Sequence, residues 1–162
     1  MSEAASINIS IWLWKRVIAD LRRRSGRKRE SGAFLLGRKG APAPRIVSYI
    51  CYDDIDPGAY KAGAIAFHAR GYAALWQNCR ERNLNVLADV HSHPGPDVRQ
   101  SQIDQQNPMV PVAGHMAIIV PNFAQAPWWS LTAAGVYEYL GNFQWQTHDA
   151  NKSHCRIKLT FW

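Results

Sequence analysis

The residues best suited to chemistry lie in one stretch: His91-Ser92-His93-Pro94, followed by Ser101-Gln102-Ile103-Asp104. In an extended chain, residues i and i+2 face the same side, so the two imidazoles can approach one point together. Pro94 turns the backbone away at once, and Asp104 returns a carboxylate eleven residues after His93. Two imidazoles and a carboxylate form a set that zinc accepts while keeping its fourth position for water, which separates a catalytic zinc from a structural one. Water on such a zinc drops from a pKa of roughly 15.7 to about 7. That is on the order of 12 kcal/mol, more than any side chain here supplies alone. Each half of the pattern has a plainer reading. Histidine pairs serve other purposes, and Ser101-x-x-Asp104 is also a helix N-cap pattern, with Ser101 as cap and Asp104 in the first turn. The two readings are compatible, since a helix start can project both side chains toward a site.

The elements that must position these groups follow from periodicity and punctuation. Ile7, Ile9 and Ile11 alternate as in a short strand. A helix follows, capped by Ser10, with Trp14, Val17, Ile18 and Leu21 at helical spacing, Arg22 to Arg24 in its last turn and Ser25-Gly26 as its end. Residues 31–37 (SGAFLLG) read as a buried strand, Pro42 and Pro44 as a turn, and 45–52 as a second strand. Residues 53–63 read as a polar loop or insertion. Tyr72, Leu75, Trp76 and Cys79 mark a second helix, and 85–90 a strand that runs into the histidines. Residues 101–107 read as a short helix stopped by Pro108, and 115–120 as a strand. Residues 131–139 and 142–147 form a hairpin around Gly141-Asn142, and 156–161 the last strand. Interleaved strands and helices, with a C-terminal third that is nearly all strand, predict an α/β sandwich with a mostly antiparallel mixed sheet flanked by helices.

Length and composition fit one domain spanning 1–162: 162 residues, 47% of them apolar, are enough to build a core. No apolar run is long enough to span a bilayer, and no signal-peptide layout opens the chain, so a cytoplasmic location without membrane association is expected. Cys51, Cys79 and Cys155 are odd in number, form no CxxC pair and are expected as reduced structural thiols. The net charge of +7 is uneven: residues 15–39 hold ten basic side chains against Asp20 and Glu30, a local balance of +8 that leaves −1 for the remainder. Such a face attracts acidic partners. Nucleic acid is not expected among them, because no base-stacking pattern accompanies the charge. His68, His115, His148 and His154 are not at ligand spacing and are expected to be structural or surface residues. Asp89 is expected to do no more than make a hydrogen bond. Trp128-Trp129 and Phe161-Trp162 are expected to pack into the core, with a partner-binding patch as the alternative.

HSHPGPDVRQSQID resembles the JAMM motif of the JAB/MPN metalloprotease family, with serine eight and aspartate eleven positions after the second histidine. The family's upstream glutamate, at the head of a strand reading E-x-G-x-L-L-G, is matched by Glu30-Ser31-Gly32-Ala33-Phe34-Leu35-Leu36-Gly37. The resemblance implies the cytidine-deaminase-like JAB/MPN sandwich. It implies one zinc per chain with a bound catalytic water on His91, His93 and Asp104. Glu30 would be the general base and Ser101 the hydroxyl that steadies the oxyanion. Lys28 and Arg29, if close, would depress the Glu30 pKa. The activity implied is a deubiquitinase-like isopeptidase acting on a ubiquitin-like protein or its conjugate. In bacteria such an enzyme can accompany activating and conjugating enzymes in antiphage defence. A non-catalytic MPN scaffold, a RadC-like DNA-associated protein, and a sulfur-carrier or phage-tail peptidase are the alternatives on the same fold. Asp53, Asp54 and Asp56 fall where family members carry a substrate-holding insertion, and an acidic loop there would read a basic tail.

Overall fold

The computed structural model describes residues 5–40, 43–60 and 65–162. Pro42 and the end of the expected 53–63 loop lie outside the described residues. Strand β1 (Ile7–Ser10) passes directly into helix α1 (Ile11–Ser25), so Ile11 opens the helix and does not extend the strand. Ser10 makes the change possible: its backbone is extended, and its hydroxyl accepts from the Trp12 amide, a donor the first helical turn leaves open. Trp14, Val17, Ile18 and Leu21 form the buried stripe. Gly26, at φ 55°, ends the helix in the left-handed conformation that glycine takes without steric cost.

Seven further strands follow: β2 (Gly32–Arg38), β3 (Arg45–Cys51), β4 (Asn85–Ser92), β5 (Met116–Val120), β6 (Gly135–Gly141), β7 (Gln144–His148) and β8 (Ile157–Thr160). With β1 they form one sheet in the order β7-β6-β5-β4-β2-β3-β1-β8. The pairs β2–β3, β2–β4, β5–β6 and β6–β7 are antiparallel, while β1–β3, β1–β8 and β4–β5 are parallel. The sheet is therefore mixed with an antiparallel majority, as the order of elements predicts. Three more helices complete the fold: α2 (Tyr52–Ile55), α3 (Ala69–Arg82) and α4 (Gln102–Gln106). The expected polar loop thus opens with a helical turn, because Tyr52 and Ile55 turn inward against the core while the aspartates between them stay outside.

Strand β2 is covered on both faces, which is why SGAFLLG reads as an unbroken apolar run. Ala33 and Leu35 join the core beneath α1, while Phe34 and Leu36 join Leu75 and Cys79 of α3 on the other side. The same alternation along β4 sends Val90 toward α1 and leaves Asp89 and His91 on the α3 side. The three cysteines are buried and free, as expected. The aromatic expectation holds only in part. Trp14 is buried and Trp128 packs against the core, but Trp129, Phe161 and Trp162 are 61%, 74% and 79% exposed. They stand on a loop and beyond the last strand, where no described layer covers them. No helix among the described residues is long and apolar enough to cross a membrane.

Gly32 is a close approach that matters to the site. A Cβ there would collide with the ring of Tyr52, whereas one on Gly95 would meet nothing. Gly32→Ala should therefore lower stability by about 1–3 kcal/mol, the range for overpacking a filled core. Gly95→Ala should change little. Thermal melts of the two variants check this, and equal melting temperatures would mean that Tyr52 does not wedge against β2.

Candidate metal centre

Two elements bring the ligands together. His91 lies in the last turn of the pleat of β4 and His93 just past its end, on the same face. Ser92 points the other way, is fully buried and locks the strand in place. Its amide donates to the Ser31 carbonyl at 2.9 Å, and the Ser31 amide donates to the Ser92 hydroxyl at 3.0 Å. The Ser31 hydroxyl in turn donates to the Leu21 carbonyl at 2.8 Å, which joins α1 to the same knot. The register pairs Gly32 with His91, so two residues further back Glu30 faces His93 across the antiparallel pair, on the same side of the sheet. Ser31 and Ser92 were not singled out from sequence. The only signal available was that each sits next to a candidate site residue on an alternating strand.

Asp104 comes from α4, and both readings of the SxxD pattern hold at once. Ser101 is the N-cap, accepting from the Asp104 amide, while the Asp104 carboxylate accepts from the Ser101 amide at 2.7 Å and from its hydroxyl at 2.8 Å. That reciprocal cap aims the carboxylate at the histidines. His91 Nε2 lies 3.2 Å from His93 Nε2 and 3.3 Å from Asp104 Oδ1, and His93 Nε2 lies 3.3 Å from Asp104 Oδ2. Charge-assisted hydrogen bonds prefer about 2.7–2.9 Å, so these contacts are long for such bonds. The imidazole pair suits another purpose: ligands about 2.0–2.1 Å from a tetrahedral zinc stand about 3.3 Å apart, and the Asp104 carboxylate brings one oxygen near each ring. The His93 Nδ1 hydrogen donates to the Asp97 carbonyl at 2.9 Å, which leaves the Nε2 lone pair for an ion. Arg99 holds Asp97 through a paired contact to its carboxylate. Among the described residues, His91, His93 and Asp104 form a group able to hold a metal ion.

The electrostatics agree with this geometry. Burial would raise the Asp104 pKa, but hydrogen bonds with His91, His93 and Ser101 and the histidine charges outweigh it and hold the carboxyl well below its usual range. The hydrogen bond with Asp104 holds His93 above the ordinary imidazole value, against the effect of burial. Glu30 is half-buried, and burial raises its pKa while the charges of His91 and His93 pull the other way. The condition set for Lys28 and Arg29 is not met: both are exposed, Arg29 turned over the Tyr60 ring, and the charges that act on Glu30 are those of the metal-site residues.

Other expectations need correction. Asp89 does more than make an isolated contact. It shares the face of His91 and is buried. It receives His115 Nε2 at 2.6 Å and the Tyr52 hydroxyl at 3.2 Å. Asp89 and Tyr52 line a cavity of about 340 Å³ together with His91 and Asp104, walled by Phe67, Met109 and Trp145, while His115 supports Asp89 from the other side. A second hollow lies on the far side of α4, against His93, Ser101 and Tyr137. A larger hollow, about 910 Å³, lies toward the opposite end of β4 around Asn85 and includes none of the three ligands, so size does not locate the chemistry. His68 and His148 are structural, paired with Asp56 and Glu138, and His154 is at the surface. Asp53 and Asp54 pair with Arg24, and Asp56 is fully buried beneath His68, so within the described residues each of these acids has a partner inside the fold.

Residues 13–132 match the family described as prokaryotic homologs of the JAB domain. Among solved structures, the chain is similar to a protein from Salinibacter ruber at TM-score 0.60 and 17% identity, over 88% of each chain. It is also similar to a protein from Desulfitobacterium hafniense at TM-score 0.58 and 16% identity, over 95% of this chain and 92% of that one. A JAB1/MPN domain protein from Archaeoglobus fulgidus matches at TM-score 0.53 and 19% identity, over 96% and 98%. At these identities the likeness establishes the fold, and the residues above establish what the site can hold.

Proton and metal compete for His93, and the sign can be worked out. Its raised pKa means that the His93–Asp104 pair stabilises the metal-free fold fully below the unfolded imidazole value, 6.5, and that this contribution is lost as pH rises through the higher folded value. A metal requires His93 neutral. The rise in melting temperature caused by zinc, measured against chelator-treated protein, should therefore be small near pH ~6 and grow toward pH ~8. An increment that does not change with pH would remove His93 from the ligand set.

Proposed function

The chain belongs to the family of prokaryotic homologs of the JAB domain, and from that premise we propose that it is a zinc-dependent peptidase of the JAMM type. Its substrate is a ubiquitin-like protein, cut at the bond that follows its C-terminus, whether an isopeptide in a conjugate or a peptide bond in a precursor. The setting proposed is the bacterial cytoplasm, alongside the activating and conjugating enzymes of a ubiquitin-like or antiphage defence system. The observation that carries this reading is the convergence of His91, His93 and the Asp104 carboxylate, with contacts of 3.2–3.3 Å, beside a half-buried glutamate.

A zinc held there would polarise the scissile carbonyl and acidify water to a pKa of about 7. The chain's own residues do the remainder. Glu30, placed opposite His93 by the β2–β4 register, takes a proton from water and returns it to the departing amine. A carboxylate with a raised pKa is a better proton acceptor near neutrality than an ordinary one, and such a base is worth roughly 100- to 10,000-fold. The Ser101 hydroxyl, now turned to Asp104, is the donor for the developing oxyanion, worth about 3 kcal/mol. The cavity floored by Asp89 and the hollow across α4 flank the ligands, so an extended tail can enter on one side and leave on the other.

The test is cleavage of a linear fusion between a ubiquitin-like protein and a reporter by the zinc-loaded chain. Glu30→Ala should keep one zinc per chain and lose roughly 100- to 10,000-fold in turnover. Full activity in Glu30→Ala would place the base elsewhere. A zinc-bound wild type inert on every such fusion would leave a scaffold.

A further inference from the structure

The positive charge concentrated in residues 15–39 has a definite place. Along α1, Trp12, Lys15, Arg16, Ala19, Arg22 and Arg23 are exposed, and the turn that follows exposes Arg27, Lys28 and Arg29 immediately before Glu30. Asp20 is the only acid in the helix, and it is engaged by Arg23 at 2.7 Å and by the Tyr49 hydroxyl. The cationic strip therefore has little to neutralise it. It runs along the opposite face of the sheet from the ligands, but its C-terminal end emerges at the same edge. The segment after β5 joins the two: the Phe123 amide donates to the His93 carbonyl at 2.8 Å, Arg22 donates to the Ala124 carbonyl at 3.3 Å, and Arg27 donates to the Gln125 side chain. At the far end, Trp12 and Trp128 stack at 6.0 Å, the Lys15 ammonium stands 4.5 Å above Trp128, and Trp129 meets Trp128 edge-on while remaining largely exposed.

We propose that this strip is a docking surface for the acidic face of a folded protein, which it holds while that protein's tail lies at the metal centre. The proposal rests on the peptidase reading for its purpose and on charge and continuity for its place. A protein fits better than a nucleic acid. Trp12 and Trp128 pack on one another, with Lys15 over Trp128, so the indoles form one cluster at the end of the strip and are not spaced along it as the platforms on which successive bases stack. What remains open is a row of guanidinium and ammonium heads ending in an indole edge. Arginine and tryptophan are the side chains that concentrate binding energy at protein interfaces.

Two versions of one ubiquitin-fold protein, identical in tail and recharged on the surface to be acidic or basic, serve as probes. Their binding to the zinc-loaded chain is read by fluorescence anisotropy at low and high salt, and their cleavage is read separately. The acidic version should bind about tenfold more tightly at low salt, with the advantage shrinking as salt rises. The combined variant Arg16→Glu, Lys28→Glu should lose that preference, and Trp129→Ala should weaken it, with melting curves and cleavage of a short tail peptide left as in wild type. Equal binding of the two versions overturns the proposal, as does a charge-reversed variant that keeps the preference. Displacement of the acidic probe by a 20-mer of thymidine nucleotides or by phosphatidylserine vesicles at lower concentration also overturns it, assigning the strip to nucleic acid or membrane. Preferential binding without cleavage of either version would leave the docking surface standing and the peptidase reading fallen. Cleavage of both without preference would do the reverse.

Discussion

The pairing of β2 with β4 is the constraint on which the site depends. An antiparallel register is a discrete choice: a slip of one residue turns every side chain to the other face. Here the Ser31–Ser92 knot fixes that choice at the end of the strands, where fraying would otherwise be easiest. It does so from beneath the sheet, through side chains that point away from the ligands. The Leu21 carbonyl joins the same knot, so the helix that carries the charge, the strand that carries the glutamate and the strand that carries the histidines meet at one buried polar cluster. Fully satisfied buried polar groups of this kind specify one arrangement.

Much of this was legible in the sequence, and particular residues show why. The histidine pair and Asp104 declare themselves because chemistry needs those types at that spacing. GAFLLG declares a doubly covered strand because nothing polar is tolerated in it. The α1 stripe and its Ser10 and Gly26 ends follow from periodicity and caps. What escaped depends on three-dimensional neighbours. Asp89 looks like any acid until His115, twenty-six residues on, arrives beside it from the start of β5. Asp53 and Asp54 look available until Arg24 is seen to reach them from the end of α1. Trp129 and Trp162 carry the same apolar signal as Trp14, and only the layering of the fold decides which of them is covered. Glu30 is the instructive case. Its sequence neighbours are cations, yet burial raises its pKa and the charges it feels come from β4 and α4, neither of which adjacency in sequence reveals.

The site also shows how one carboxylate can serve folding and chemistry together. Asp104 completes the cap of its own five-residue helix and stands at the apex of the ligand triangle. A helix that short contributes little stability of its own, and its cap holds it in the one orientation the histidines require.

That double duty has a bearing on which ions can enter. Calcium bonds its oxygen ligands at about 2.3–2.6 Å and asks for six to eight of them. The three side chains here offer two imidazole nitrogens and a carboxylate, and the Ser101 amide and hydroxyl already occupy one carboxylate oxygen. A large hard cation would have to complete most of its shell from solvent. Nitrogen donors suit the smaller borderline ions, so the kind of donor atom, set by the same cap that orients the helix, does the sorting.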